Sequence, residues 1–120
     1  MMRGGMTFVD DVVENLVDDV VRINKVHLTT GNLCTKYLLE ALTEYGRHDI
    51  AWLLATQTTY PSWGYMIANG ATTVWERWEY ETGRAMNSHI NKMYCSIVGW
   101  FYRALEGIKT DPSVIGFYQI

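Results

Sequence analysis

Cysteine is scarce in this 120-residue chain, which carries two, Cys34 and Cys95. A pair this sparse has neither the density of a disulfide scaffold nor the close spacing of a zinc site, so both are expected as buried free thiols in apolar helical stretches. His27, His48 and His89 are widely separated and form no ligand pair at helical spacing. Neither a metal nor another cofactor is expected. Basic charge is in deficit: ten Lys and Arg against thirteen Asp and Glu leave a net charge of −3. The cations are scattered rather than striped, which excludes nucleic acid as an expected partner. No apolar run approaches the roughly 20 residues that span a bilayer, so no membrane is expected either. Met1, Met2, Arg3 and two glycines lead into a short apolar step that Asp10 and Asp11 interrupt. That is no signal-peptide core, and the expected location is cytoplasmic.

What the chain does hold is apolar and aromatic mass. Hydrophobic residues make up 48% and aromatic residues 13%, enough for one small domain, residues 1–120, with a packed core. Four helices follow from periodicity. Val9, Val12, Val13, Leu16, Val17 and Val20 recur at three-and-four spacing over about Phe8 to Asn24, with Thr7 placed to cap and Asp10 and Asp11 favourable to the N-terminal dipole. The second helix starts near Leu33, with Tyr37, Leu38, Ala41, Leu42 and Tyr45 on its apolar side, and ends where Gly46 can adopt a left-handed conformation. The third runs from Arg47 or His48 to about Gln57, burying Ile50, Leu53 and Leu54. So short a connection forces an antiparallel αα-hairpin. The fourth, Asn91 to Leu105, turns Tyr94, Ile97, Val98, Phe101 and Leu105 inward and stops at Gly107. Asp111 and Pro112 make a turn, after which Val114 to Ile120 is expected to be strand-like.

Between the third and fourth helices, Tyr60 to Glu79 has neither helical nor strand periodicity and sets Trp63, Trp75 and Trp78 around Glu76. Aromatic rings offer flat apolar faces to the C–H faces of a pyranose, and a carboxylate among them can lose bulk water. This pattern points to a carbohydrate site. The alternative for Glu76 is an exposed acid paired with Arg77 or Arg84. Trp63 is open to two readings, pocket wall or core, and Asn69-Gly70 reads as a turn. His27, in HLTTG, could contact a sugar hydroxyl, but a capped loop is the commoner use, with Thr29, Thr30 or Asn32 holding the next helix.

PSWGYMI followed by NGATTVWERW resembles the C-terminal part of the catalytic domain of glycoside hydrolase family 78, the α-L-rhamnosidases. The resemblance extends upstream through HLTTGNLCTKYLLEALTEYGRHDIAWLLATQ and downstream through MNSHINKMYCSIVGWFYRALEGI. It implies an all-α fold, here antiparallel hairpins forming part of a six-hairpin α/α toroid. It also implies hydrolysis of a terminal α-L-rhamnoside with inversion, which needs an acid and a base roughly 6.5–9.5 Å apart. By this resemblance Glu76 matches the general base, Trp75 and Trp78 wall the pocket beside Trp63, and Arg77 is a supporting partner. His89, with Asn87 and Ser88, matches a region near the sugar. The family's general acid lies upstream of anything in this sequence, so the chain alone is expected to be inactive.

Departures from the family pattern are also visible. Ile90-Asn91 stands where Asn-His is expected, Glu79 replaces an aspartate, and Val26, Cys34, Cys95 and Val98 replace glycines. Such replacements imply a repacked site. The second functional expectation is therefore a non-catalytic carbohydrate-binding or self-assembling helical module. A homo-oligomer, or union with the missing barrel portion, is expected from Trp52, Trp100 and Tyr102, which lie off the main apolar stripes.

Overall fold

A computed structural model describes residues 7–84, 88–111 and 113. The described chain is all-α, with no strand among the described residues. Helix α1 spans Phe8–Asp18 and passes into a wider π-helical turn at Asp19–Ile23. Thr7 caps it: its hydroxyl accepts from the Asp10 N–H while the Asp10 carboxylate accepts from the Thr7 N–H, a reciprocal box that satisfies two N-terminal donors. Those bonds hold the Asp10 carboxyl below its ordinary range.

The exit of this helix is unusual. Lys25 (φ 50°) and Val26 (φ 59°) both sit in the left-handed region, and Val26 donates to the Val20 carbonyl at 2.8 Å. A β-branched residue there is strained. Glycine at this position would carry no such cost.

Helix α2 spans Asn32–Glu44 and α3 spans His48–Ala55. Gly46 takes φ 79°, its N–H donates to the Thr43 carbonyl, and Arg47 N–H donates to that of Leu42 at 2.7 Å. This paired closure of α2 turns the chain sharply enough to fold α3 back along it. The two helices pack together, and Leu38, Leu39 and Leu42 of α2 and Ile50, Ala51 and Leu54 of α3 are buried. Each large aliphatic side chain so buried contributes about 1.5–3 kcal/mol.

The short α4, Trp63–Ala68, follows a loop, and a 3-10 turn at Met93–Cys95 leads into α5, Ser96–Trp100, which continues as a π-helical turn at Phe101–Leu105. Helix α5 packs on α2. Tyr94, Ile97 and Trp100 enter the core there, and the Trp100 indole N–H donates to the Thr43 hydroxyl at 2.8 Å.

The four expected helices are present, and several side chains point elsewhere than their periodicity suggested. Trp100 is only 2% exposed, so it belongs to the core and not to an assembly surface. Val9, Val12, Tyr37, Tyr45, Leu53, Val98 and Leu105 are exposed instead of inward. A helix buries only the part of its apolar stripe that another element covers, and α1 with its π-helical continuation meets the core through Val13, Leu16, Val17 and Val20. Cys34 is exposed and Cys95 partly buried, so the thiols are free but not both buried. No side chain caps α2: Gly31 is its N-cap, and the Thr30 hydroxyl pairs with that of Thr35. The expected strand at Val114 to Ile120 lies outside the described residues. At the preceding turn the Asp111 carboxylate accepts from the Ser113 N–H and hydroxyl.

Candidate functional site

The segment after α3 is positioned by close backbone contact and by ladder-like bonds between two irregular stretches. Ser62 caps α4, accepting from the Tyr65 N–H at 3.0 Å. Gly64 lies so near the preceding loop that an added Cβ would stand 2.3 Å from the Gln57 carbonyl oxygen. After Gly70, at φ 81°, the chain runs back along the core. Its Glu76 N–H donates to the Ser88 carbonyl at 3.0 Å, and Asn91 N–H donates to that of Val74 at 2.8 Å. The Thr73 hydroxyl donates to the His89 carbonyl.

The tryptophans form a packed aromatic wedge. Trp63 and Trp78 meet edge to face at 5.1 Å between ring centroids, and Trp78 lies 3.9 Å from Tyr94 at 33°. Their indole N–H groups are tied to main-chain carbonyls, Trp63 to Tyr94 at 3.1 Å and Trp78 to Thr30 at 2.9 Å. These buried donors are therefore satisfied, as a stable aromatic core requires. Trp75 contacts Tyr80 and His89 on the other side. Trp63, Trp75 and Trp78 are each 7% exposed or less.

Beside the wedge opens a cleft of about 440 Å³, walled by the loop Leu28 to Asn32, by Tyr60 and Pro61, by Tyr94 and by Glu76 to Glu79. It contains two carboxylates, one guanidinium, two phenols and an indole edge. Glu79 accepts from the Tyr60 hydroxyl and pairs with Arg77 Nε, both at 3.4 Å. The Glu76 side chain is half-buried and makes no hydrogen bond or ion pair among the described residues. Burial first, then the nearby Glu79 charge, pushes the Tyr94 phenol up to about 12. The same two causes raise Tyr60. Both phenols therefore remain neutral donors at ordinary pH.

Of the residues singled out in the sequence, Glu76 and Trp78 line this cleft together, with Arg77 between them. Trp63 supports it from the core side, through Trp78 and Tyr94. Trp75 and His89 pack against each other away from the lining, and the His89 Nε2 donates to the Glu81 carbonyl. His27 is used within its loop, its Nδ1 donating to Lys25 O at 2.8 Å while Nε2 meets the Thr59 hydroxyl at 2.7 Å. Asn91 accepts from the Met93 N–H through its side-chain oxygen and so starts the next turn. Ile90 is exposed. Tyr94 reads in the sequence only as an inward core residue, because a cleft-lining tyrosine on a helix has the same spacing. The loop Thr29 to Asn32 was legible only as a helix cap. Among the described residues no cluster of three or more His, Cys, Asp or Glu could hold a metal ion, and none of their helices is long and apolar enough to cross a membrane.

Residues 7–105 match the family described as the bacterial alpha-L-rhamnosidase 6 hairpin glycosidase domain. An alpha-L-rhamnosidase of Alteromonas sp. is 45% identical over 76% of this chain and 10% of its own length. One of Streptomyces avermitilis is 36% identical over 96% of this chain and 12% of its own. Among solved structures, the alpha-L-rhamnosidase from Dictyoglumus thermophilum superposes with a TM-score of 0.76 at 47% identity, covering 79% of this chain and 11% of that one. The Streptomyces avermitilis enzyme complexed with L-rhamnose gives 0.75 at 38% identity, covering 82% and 10%. The chain thus spans about a tenth of the length of these relatives.

Proposed function

We propose, for a chain that belongs to the bacterial α-L-rhamnosidase six-hairpin glycosidase family, that the cleft beside Trp78 is one wall of a rhamnoside-binding site. The observation that carries this reading is the convergence of Glu76, Glu79, Tyr60, Tyr94 and Trp78 on one cleft. In it Glu76 is the general base that takes a proton from the attacking water, on the face of the sugar opposite the leaving group. A half-buried carboxylate facing a cleft, with lone pairs not committed elsewhere in the described structure, suits that task. Trp78 and Tyr94 form the buried aromatic floor behind the cleft, and Tyr60 and Glu79 offer a hydroxyl donor and acceptor at its wall.

The acid that protonates the leaving oxygen comes, in this reading, from the rest of a six-hairpin barrel, either in the same polypeptide or as a separate subunit. A chain of this length alone binds rhamnoside weakly and does not turn it over. The exposed apolar surface supports contact with further helical hairpins or a second copy.

The test is release of nitrophenol from nitrophenyl α-L-rhamnoside, with the chain alone and with the remaining hairpins of a family barrel supplied in trans. No turnover is expected alone. Turnover is expected on addition, and Glu76→Gln should reduce it about 10²–10⁴-fold, the usual range for a general base. Equal turnover with Glu76→Gln would remove Glu76 from the mechanism.

A further inference from the structure

Tyr94 buries a phenol where packing calls only for a ring. The residue is 2% exposed, and its ring centre lies 3.9 Å from that of Trp78 and 6.5 Å from that of Trp63. The Trp63 indole bonds to the Tyr94 main-chain carbonyl and not to its side chain. Phenylalanine would make the same ring contacts. The hydroxyl is thus an added polar atom, and such an atom costs stability when it is buried without a partner.

Every fully enclosed side-chain nitrogen or oxygen among the described residues has a hydrogen-bond partner. The Tyr94 hydroxyl makes no hydrogen bond among them, so it is not sealed in. The small part of Tyr94 that solvent reaches includes this hydroxyl, at the floor of the cleft that Tyr94 lines. The cleft around it is built by this chain's own residues, the loop Leu28 to Asn32 on one side and Tyr60, Pro61 and Glu79 on the other. Further hairpins can cover the mouth of the cleft, but they cannot make this floor less buried.

The neighbours of the hydroxyl define what it can bind. Burial and the Glu79 charge push the phenol up to about 12, so it keeps its proton and donates. The Glu79 carboxylate accepts from Tyr60 at 3.4 Å and pairs with Arg77 at 3.4 Å, and lone pairs remain to it. A donor and an acceptor in one cleft suit a group that both accepts and donates, which is the hydroxyl of a polyol. Glu76 and Glu79 on the same cleft disfavour a carboxylate or phosphate there.

We propose that one ring hydroxyl of the rhamnosyl unit bridges Tyr94 and Glu79, accepting from the phenol and donating to the carboxylate, which makes Tyr94 a specificity-determining residue of the cleft. This rests on the reading of the cleft as a rhamnoside site. A site built to bond a substrate hydroxyl rejects the analogue that lacks it, because its own buried polar group is then left unpaired.

The test is an NMR titration of the full chain, on the millimolar scale of weak binding, with methyl α-L-rhamnoside and with the analogues that lack each ring hydroxyl in turn. The series is repeated with the remaining hairpins of a family barrel supplied. Tyr94→Phe should melt near neutral pH no lower than the wild type, yet bind the rhamnoside about five- to tenfold more weakly. One deoxy analogue should lose a similar factor on the wild type, and Tyr94→Phe should bind that analogue and the parent sugar alike. Sugar-dependent shifts of the Trp78 indole and Glu76 amide signals, with equal affinity in wild type and Tyr94→Phe, would leave the cleft a sugar site and overturn the hydroxyl contact. No shift with rhamnoside, alone or with the hairpins, overturns both readings. Weaker association of Tyr94→Phe with the hairpins at unchanged sugar affinity would assign the hydroxyl to a barrel side chain, and so overturn the proposal alone.

Discussion

Gly64→Ala opposes two physical effects whose sizes can be compared. Within a helix such as α4, alanine is favoured over glycine by about 0.5–1 kcal/mol, so propensity alone expects a stabilised protein. The tertiary structure expects the reverse. A Cβ on residue 64 would lie 2.3 Å from the Gln57 carbonyl oxygen and 2.8 Å from the Thr58 Cα. Both are backbone atoms, so no rotamer change relieves the overlap. The loop and α4 must separate, drawing Ser62 and Trp63 out of register with Trp78 and Tyr94. Overpacking of this kind costs about 1–3 kcal/mol, sometimes more, and exceeds the propensity gain. We therefore expect a net loss of about 1–2 kcal/mol in urea unfolding followed by circular dichroism, with an altered near-ultraviolet signal from the tryptophan wedge. Gly31→Ala is the control, because a Cβ there meets nothing within 4 Å and the backbone is ordinary; it should change stability by under about 1 kcal/mol. A Gly64→Ala protein as stable as the wild type or more so would refute the close approach of α4 to Gln57.

Tyr94 makes stability fall at alkaline pH. Its phenol is pushed up to about 12 from the ordinary 10.0, so the folded state keeps a proton that the unfolded chain releases. The contribution is fully present below pH 10 and is lost as pH rises from about 10 to 12. Tyr94→Phe should flatten that decline when melting is followed across the range, and an unchanged slope would refute the assignment. At the exit of α1, Lys25→Gly should raise stability by about 0.5–1 kcal/mol in urea unfolding, because Lys25 is exposed at φ 50° and glycine relieves that strain. A destabilised variant would contradict the left-handed turn. Trp63→Phe removes the donor to the Tyr94 carbonyl and leaves a gap beside Trp78. It should cost about 2–4 kcal/mol, and a cost under 1 kcal/mol would place Trp63 outside the core.

Helix positions were legible because local rules decide them. The Thr7 and Asp10 box, the glycine closure after Tyr45 and the three-and-four apolar spacing act within a few residues, and the hairpin of α2 and α3 follows from them. The short α4 was not among the four expected helices, since six residues are too few for a period to emerge. The motif around Glu76 was legible in another way: it carries the family, with the fold that the family implies.

Which side chains face the cleft was not legible. The stretch around Glu76 has no regular period, so sequence spacing assigns no direction to Trp63, Trp75, Trp78 or Glu79. Direction is set by partners distant in the chain: Tyr94 and Thr30 accept from two of the indoles, and Ser88 fixes the Glu76 backbone. Periodicity likewise named an apolar stripe on every long helix but could not say how much of it another helix would cover, which is why Trp100 is buried while Val12 and Tyr37 are exposed. The sequence by itself determined the helices, their turns and the family, because these rest on local energies and on a contiguous motif. Tertiary structure alone decided the cleft and its neutral phenols, because each is made by residues that meet only once the chain has folded.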